Sequence, residues 1–510
     1  MHIGDCIRKW SELCPNKVAV VDNGREFTYL ELNKRCNQVA HFLLKKGIGK
    51  GDRVGVLLYN CRQYLEIYFA LTKIGAVLVP LNWRMAPPEA QYILNDCGAS
   101  YLFFDEAFLN TAVHIRDNVE TIAHYIALAR EGIPWAENYE RAEECSSNEP
   151  TGFIEHDLDD SHLILYTSGT TGFPKGAVLS NRKTFFNSLN ANIFYRLTPE
   201  DIFLVSRPLF HSGGLLVDST PALYEGATVI YQRHFSPAEY LETIEKYRVT
   251  IIEASATFLN FILKECDLCQ YNLSSLKSYF TGGERISTAL LKEYHERGIP
   301  LSQIFGMTET SIVTWLSTDD AVRKRGSVGK PVLHGEVRIV NREMQPVKIG
   351  ETGEVVVRGP ILMSGYWNKP EATSEVMRNG WFHTGDLATV DEEGYIYIVD
   401  RKKDMFISGG ENVYPAEVEA LLLENPKVLD VAVYGVPDEK WGEVGKASIV
   451  MKDGEKMSDS EVRKFLTRKI GKFKVPKYIE FADELPRTAT GKILKHILAQ
   501  RSREALSSTE

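Results

Sequence analysis

Residues 54–80 read Val-Gly-Val-Leu-Leu-Tyr-Asn-Cys-Arg-Gln-Tyr-Leu-Glu-Ile-Tyr-Phe-Ala-Leu-Thr-Lys-Ile-Gly-Ala-Val-Leu-Val-Pro. Two short apolar runs, at 54–58 and 77–80, bracket a stretch from Tyr64 to Ile74 with helical spacing. Continuous apolar runs bounded by turn residues read as buried strands of a parallel sheet, and the segment between them as a crossover helix. The unit is strand–helix–strand, and it sets the fold class as α/β.

A similar unit recurs further along. Ile202-Phe-Leu-Val is followed by a helical stretch near Leu215 to Tyr224 and then by Glu225-Gly-Ala-Thr-Val-Ile-Tyr. Gly75-Ala-Val-Leu-Val and Gly226-Ala-Thr-Val-Ile match, which predicts two related, doubly wound α/β subdomains. Ligands bind in the crevice at the junction of such sheets. Residues 136–151 are rich in Glu, Ser and Asn and read as a surface connection. Short strands with Gly and Pro turns around 341–360 predict a small β subdomain, with Asp391-Glu-Glu-Gly as a hairpin turn. The predicted C-terminal domain is α+β, with a helix over 415–424, a strand over 428–434, a helix over 459–470 and a last helix from Ile493.

The densest chemistry lies at 166–176, Tyr-Thr-Ser-Gly-Thr-Thr-Gly-Phe-Pro-Lys-Gly, directly after the strand-like Leu163-Ile-Leu. Glycines let backbone amides turn inward, hydroxyls add donors and the lysine adds charge, which is the chemistry of gripping a polyphosphate. It is not a Walker A loop, because no Gly-Lys-Ser/Thr follows the second glycine.

This stretch resembles the phosphate-binding signature of the acyl-adenylate-forming superfamily, which holds acyl-CoA synthetases, luciferases and adenylation domains. Gly306-Met307-Thr308-Glu309-Thr310, Trp381-Phe382-His383-Thr384-Gly385-Asp386, Asp400-Arg401-Lys402-Lys403-Asp404 and Pro486-Arg487-Thr488-Ala489-Thr490-Gly491-Lys492 resemble its later signatures, in the family's order. Within that family the chain looks most like bacterial medium- or long-chain fatty-acid–CoA ligases. The resemblance implies an N-terminal ATP- and acyl-binding domain over 1–400, a hinge at 401–405 and a mobile C-terminal domain over 406–510.

It also implies a set of roles. Thr167, Ser168, Gly169, Thr170, Thr171, Gly172 and Lys175 would cradle the phosphates of ATP. Thr167 and Glu309 would contact Mg²⁺, a hard cation that prefers oxygen ligands, and Thr308 would reach the α-phosphate. Gly282, Gly283 and Glu284, with Phe305 and Gly306, would lie against adenine. The family often has tyrosine where this chain has Phe305, so stacking is kept and a hydroxyl lost. Asp386 would accept the ribose hydroxyls, with Arg401 beside it. Lys492 would be the catalytic lysine, Lys403 the pivot, and His211 would stand at the mouth of the acyl pocket. Gly409 and Gly410 would line a passage for pantetheine, and Trp441, Lys472, Phe473 and Lys474 would meet coenzyme A. Taken alone, Thr308-Glu309 reads as a helix N-cap pair. Asp386 alone reads as turn chemistry, Lys492 as a solvated lysine and the run 400–404 as a charged linker.

The expected reaction is therefore an ATP-dependent acid–thiol ligation through acyl-AMP. The expected acid is a medium- or long-chain fatty acid, with an aryl or short branched acid, or transfer to a carrier protein, as alternatives. The basic stretch 463–477 favours CoA over a carrier protein. No Arg or Lys stands out among Leu215, Leu216, Val217, Phe258, Ile304, Met307, Ile312 and Val313, which favours a monocarboxylic, apolar acyl group.

Composition agrees. With 510 residues, several subdomains are expected. A net charge of −9 argues against nucleic acid as a partner. No run of 18 apolar residues exists to span a membrane. Neither a secretory signal nor a peroxisomal tripeptide is read at the ends, so a cytoplasmic enzyme is expected. Peripheral contact with lipid and a homodimer are left open. Eight scattered cysteines fit reduced thiols, and Cys266-Asp-Leu-Cys269 reads as structural.

Overall fold

A computed structural model of the chain describes residues 2–144, 146–152, 154–167, 174–284, 286–408, 411–438, 440–487 and 493–507. The strand–helix–strand of 54–80 forms as read. Strands Arg53–Leu57 and Val77–Pro80 are parallel neighbours, joined by helix Arg62–Ile74. Alternate residues of these strands enter different cores. Val54, Val56 and Leu78 pack with Tyr64, Tyr68 and Leu71 of the helix. Leu57, Val77 and Val79 pack on the other face with Ile93 and Leu94 of helix Pro87–Cys97. A strand buried on both faces needs apolar side chains at every position, which is why 54–58 shows no polar alternation.

The second unit, Ile202–Val205 and Thr228–Tyr231, is likewise a parallel pair. Its connection differs from the expected plain helix. Gly213–Ser219 is a π-helical turn that continues as helix Thr220–Glu225. Both units end their helix on a left-handed glycine, Gly75 (φ 74°) and Gly226 (φ 87°). At Gly226 a side chain is also excluded, since a Cβ would sit 2.5 Å from the Trp10 ring.

Among the described residues the two units belong to two large sheets. One holds nine strands, from Lys330–Pro331 through Ser311–Trp315, Ser302–Met307, Ser278–Gly282 and Ile251–Glu253 to the second unit and Val18–Asp22. The other holds eight, with Ser161–Thr167 and Lys175–Ser180 beside the first unit. Helices Tyr29–Lys45, Arg62–Ile74 and Asn181–Tyr195 contribute to a core shared by both sheets, so they lie between them. Helices Pro237–Tyr247, Ala256–Glu265 and Thr288–Glu296 cover the outer face of the nine-stranded sheet.

A third sheet is the expected small β subdomain: Glu336–Val340, Gly353–Arg358 and Trp381–Val390, with Ile396–Arg401 also paired to the last. Asp391 makes its hairpin turn by accepting the amides of Glu393 (3.0 Å) and Tyr395 (2.9 Å). The C-terminal region has its own sheet and core, with helices Pro415–Leu423, Asp459–Thr467 and Lys495–Ser507 close to the expected ranges. The expectation for 136–151 needs correction. Glu137–Asn138 joins the eight-stranded sheet and helix Tyr139–Glu144 follows it, with Tyr139 buried against Glu66. Its acidic composition supplies Glu140, which accepts Arg35 and Arg62, a partnership no local pattern announces.

One buried group makes stability depend on pH. His162, on strand Ser161–Thr167, shares Nε2 with Thr184 Oγ1 at 2.8 Å. Burial, with the cation of Lys183 nearby, pulls its pKa down to about 3. It is neutral in the fold and takes a proton below pH 6.5 once unfolded, so stability is lost as pH falls from 6.5 toward 3. The loss is about 1.4 kcal/mol per pH unit for one such group. Thermal unfolding of His162→Gln between pH 7 and 5 should show a shallower pH slope than the unmodified protein; equal slopes would contradict this.

Candidate active site

Strand Ser161–Thr167 ends at Thr167, and the next begins at Lys175, paired directly opposite it in an antiparallel hairpin. Ser168, Gly169, Thr170, Thr171 and Gly172 lie outside the described residues. Thr167 Oγ1 reaches Glu309 Oε1 at 3.3 Å, across 142 residues of sequence. Tyr366 donates its hydroxyl to the same carboxylate oxygen at 2.9 Å. The Met363 amide holds the Glu309 carbonyl at 2.7 Å, and Lys175 Nζ lies 5.6 Å from the Tyr366 ring centre. Glu309 is 7% exposed and has only hydroxyl donors on its carboxylate, with no ion pair among the described residues. A buried carboxylate held only by hydroxyl donors fits a cation. Oxygen donors of this kind suit Mg²⁺, which commonly takes only one or two protein ligands and completes its shell with phosphate and water. Among the described residues no group of three His, Cys, Asp or Glu side chains gathers to hold a metal by itself.

Thr308 and Glu309 do not cap a helix. They sit in a turn that leads from strand Ser302–Met307 into the antiparallel strand Ser311–Trp315. Gly306 is required there, because a Cβ would come 2.0 Å from the Ser311 carbonyl oxygen. Gly282 ends the neighbouring strand in register with Ile304, and its Cβ would meet the Ile304 carbonyl at 2.9 Å. Gly283 is left-handed (φ 82°), and Glu284 turns away to accept the Thr257 amide at 3.0 Å. Phe305, Gly306 and Gly282 thus stand near the carboxyl ends of two parallel neighbouring strands, and Gly283 follows in the turn.

Asp386 is 5% exposed and faces Arg401 across the pair Trp381–Val390 and Ile396–Arg401, with Arg401 Nε 3.3 Å from its Oδ1. Thr384 Oγ1 accepts the Asp386 amide at 3.0 Å, and Gly385 is left-handed (φ 70°), so the Thr-Gly-Asp turn aims the carboxylate. Lys403 is exposed in the turn that follows, before strand Phe406–Ser408.

His211 is half-buried and accepts the Gly213 amide on Nδ1 at 3.1 Å. Its segment is anchored from behind. Asn60 donates to the Arg207 carbonyl (2.9 Å) and accepts the Leu209 amide (2.8 Å). Arg207 itself grips Asp218 with two bonds, at 3.0 and 2.6 Å, and ion-pairs with Glu253, which also accepts the Tyr195 hydroxyl. Burial pushes Glu253 up to about 8 against the pull of Arg207. A Cβ on Gly213 would come 2.8 Å from the guanidinium, so the π-helical turn is moulded on Arg207.

In the C-terminal region Gly409, Gly410 and Lys492 lie outside the described residues. Trp441 and Phe473 are 48% and 43% exposed, with Lys440 and Lys474 near their rings. Lys474 is committed to Glu417 (2.7 Å) and Lys477 to Asp438, whereas Lys464, Arg468 and Lys472 have no ion pair among the described residues. The basic stretch is therefore only partly free to receive an anion. Tyr366, Arg207, Asp218 and Glu253 are the site residues that local sequence did not announce.

The family model of AMP-binding enzymes matches residues 7–367, and that of the AMP-binding enzyme C-terminal domain matches 417–492. The chain belongs to the AMP-binding enzyme family. It is 41% identical over 492 residues to a feruloyl-CoA synthase of Amycolatopsis, covering 96% of this chain and 97% of that one. An indoleacetate–CoA ligase of Aromatoleum aromaticum is 38% identical, covering 98% of each chain. A long-chain-fatty-acid–CoA ligase of Mycobacterium tuberculosis is 35% identical, again covering 98% of each. Among solved structures, an anthranilate CoA ligase in complex with anthranoyl-AMP superposes with a TM-score of 0.91 at 28% identity, covering 99% of this chain and 98% of that one. This AMP-binding enzyme is accordingly an AMP-forming acid–thiol ligase, of the kind whose substrates are ATP and CoA. Its mixed α/β architecture, with a large N-terminal and a small C-terminal part, is that of acyl-CoA synthetase structures. No helix among the described residues is long and apolar enough to cross a membrane.

Proposed function

We propose that the protein activates a monocarboxylic acid with an apolar body, most readily an aryl-bearing one, and transfers the acyl group to CoA. The approach of Thr167 to Glu309 carries the activation half of this reading. It sets a hydroxyl and a carboxylate without an ion pair among the described residues at the end of the phosphate loop, where the triphosphate and its Mg²⁺ would be held. When bound, Mg²⁺ neutralises phosphate charge. The chain's own groups do the rest. Thr308 and the loop orient the α-phosphate, Asp386 and Arg401 hold the ribose, and Lys492 meets the charge that develops at phosphorus. The carboxylate oxygen attacks the α-phosphorus and pyrophosphate leaves. The CoA thiolate then attacks the acyl carbon, and AMP leaves with the oxygen the acid brought.

The state of Arg207 supports a monocarboxylic substrate. It stands four residues before His211, and its charge is spent on Asp218 and Glu253, so it is not free for a second carboxylate. The aryl preference is supported by the relatives named for ferulate, indoleacetate and anthranilate. A fatty acid is the second reading, favoured by the long-chain relative. AMP release with ATP, Mg²⁺ and CoA, across acetate to palmitate, benzoates, cinnamates and arylacetates, separates them. Turnover confined to arylacids supports the first reading and turnover confined to one alkyl-length window the second. A dicarboxylate as best substrate would overturn both.

The turn 402–404 joins strand Ile396–Arg401 to the C-terminal sheet, and we assign it the pivot between half-reactions. Hinges are a few element-terminal positions that absorb a backbone change. Lys403→Pro should leave pyrophosphate–ATP exchange within about twofold and cut thioester formation at least tenfold. Equal loss of both would speak against a hinge.

A further inference from the structure

Lys183 takes no part in any role assigned above, yet it is 1% exposed, among the largest fully buried side chains of the fold. It lies in the first turn of helix Asn181–Tyr195, where Ser180 Oγ accepts its amide at 3.3 Å. Its amino group donates to Ser311 Oγ; burial lowers its pKa to about 7, and the Glu309 carboxylate nearby opposes that shift. Burying an amino group is costly unless it is paired or hydrogen-bonded, and here the partner is Ser311.

Ser311 needs holding. Its φ of 57° is left-handed, a conformation disfavoured for a residue with a Cβ. Among the described non-glycine residues with positive φ it alone is buried. It also closes the turn that carries Thr308 and Glu309. Ser311 pairs with Met307 across the hairpin. Thr310 Oγ1 accepts the Met307 amide at 3.4 Å and donates to the Ser311 carbonyl at 3.1 Å. That carbonyl lies flush against Gly306, so Ser311 cannot rotate without displacing the strand end.

We propose that Lys183 is a positioning residue for acid activation: by bonding Ser311 Oγ it holds Ser311 in the left-handed conformation and so sets the turn that aims Thr308 and Glu309 at the phosphates. This rests on the assignment of Thr308 and Glu309 to the nucleotide, which MgATP binding by Glu309→Gln tests separately.

The decisive contrast is between two substitutions that both remove the hydroxyl. Ser311→Gly adopts the conformation freely, and Ser311→Ala does not. A displacement near 1 Å costs on the order of 10²-fold in rate, and a smaller one roughly tenfold. Ser311→Ala and Lys183→Met should each weaken MgATP binding and lower the kcat of acid-dependent pyrophosphate–ATP exchange about tenfold, with KM for the acid unchanged. Ser311→Gly should stay within about twofold of the unmodified protein, and the double variant Lys183→Met/Ser311→Gly should recover to the same level. Equal effects of Ala and Gly at 311, or no recovery in the double variant, would overturn the proposal. The Ala–Gly contrast decides the matter even if Lys183→Met fails to fold.

Discussion

Replacing Lys492 with alanine should lower acyl-adenylate formation by about 10²–10³-fold while leaving MgATP affinity within a few-fold. The argument is electrostatic. As the carboxylate oxygen attacks the α-phosphorus, two anionic groups approach and negative charge concentrates on the phosphoryl oxygens. A fixed ammonium in a site that excludes water stabilises that charge more than it stabilises the ground state, so its loss appears in kcat rather than in binding. Lys492→Arg keeps the charge with a different shape and should recover only part of the rate, because a guanidinium fork does not replace a point charge. A Lys492→Ala protein with unchanged pyrophosphate–ATP exchange would remove the lysine from the chemistry.

The second large effect is on the fold. Arg207→Met should destabilise the protein by about 3–5 kcal/mol, the usual cost of removing one partner from a buried ion pair. Asp218 and Glu253 are both fully buried, and without the guanidinium they face each other with no cation between them. The pH dependence has a definite sign. Glu253 already has its folded pKa raised to about 8, above the unfolded carboxylate range, so its contribution is most favourable at low pH and is lost as pH rises through 8. Removing Arg207 takes away the larger of the two influences that oppose this rise and leaves only the Tyr195 hydroxyl. The deficit of Arg207→Met in urea unfolding should therefore be larger at pH 8.5 than at pH 6; a deficit below about 1 kcal/mol, or one independent of pH, would contradict the account. Because Gly213 packs on the guanidinium, the variant should also raise KM for the acid without moving KM for ATP.

Local pattern carried far in some parts of this chain and failed in others. The two strand–helix–strand units were legible because a buried parallel strand has an unbroken apolar run and each helix ends on a glycine that must be left-handed. Asp386 and Arg401 were legible as motif residues, and antiparallel register brings them face to face. Thr167 and Glu309 were likewise named from separate motifs and meet at 3.3 Å. What sequence did not announce are partners supplied from far along the chain. Tyr366 reaches Glu309 from a two-residue edge strand that carries no periodicity. Arg207 stands four residues before His211, but its meaning depends on Asp218 and on Glu253, which arrives on a different strand. Lys183 and Ser311 are 128 residues apart, and neither is unusual in its own neighbourhood. The stretch 136–151 failed for the same reason. Its polar composition suits a surface loop, and only tertiary contact with Glu66, Arg35 and Arg62 makes it a structural element.

The most direct test of the adenylate route follows one oxygen atom. The protein would be given ATP, Mg²⁺, CoA and an accepted acid labelled with ¹⁸O in both carboxylate positions, and the AMP weighed by mass spectrometry. Attack of the carboxylate on the α-phosphorus requires one ¹⁸O to appear in AMP and one to remain in the thioester carbonyl. Label found in inorganic phosphate or pyrophosphate, or AMP free of label, would contradict the account.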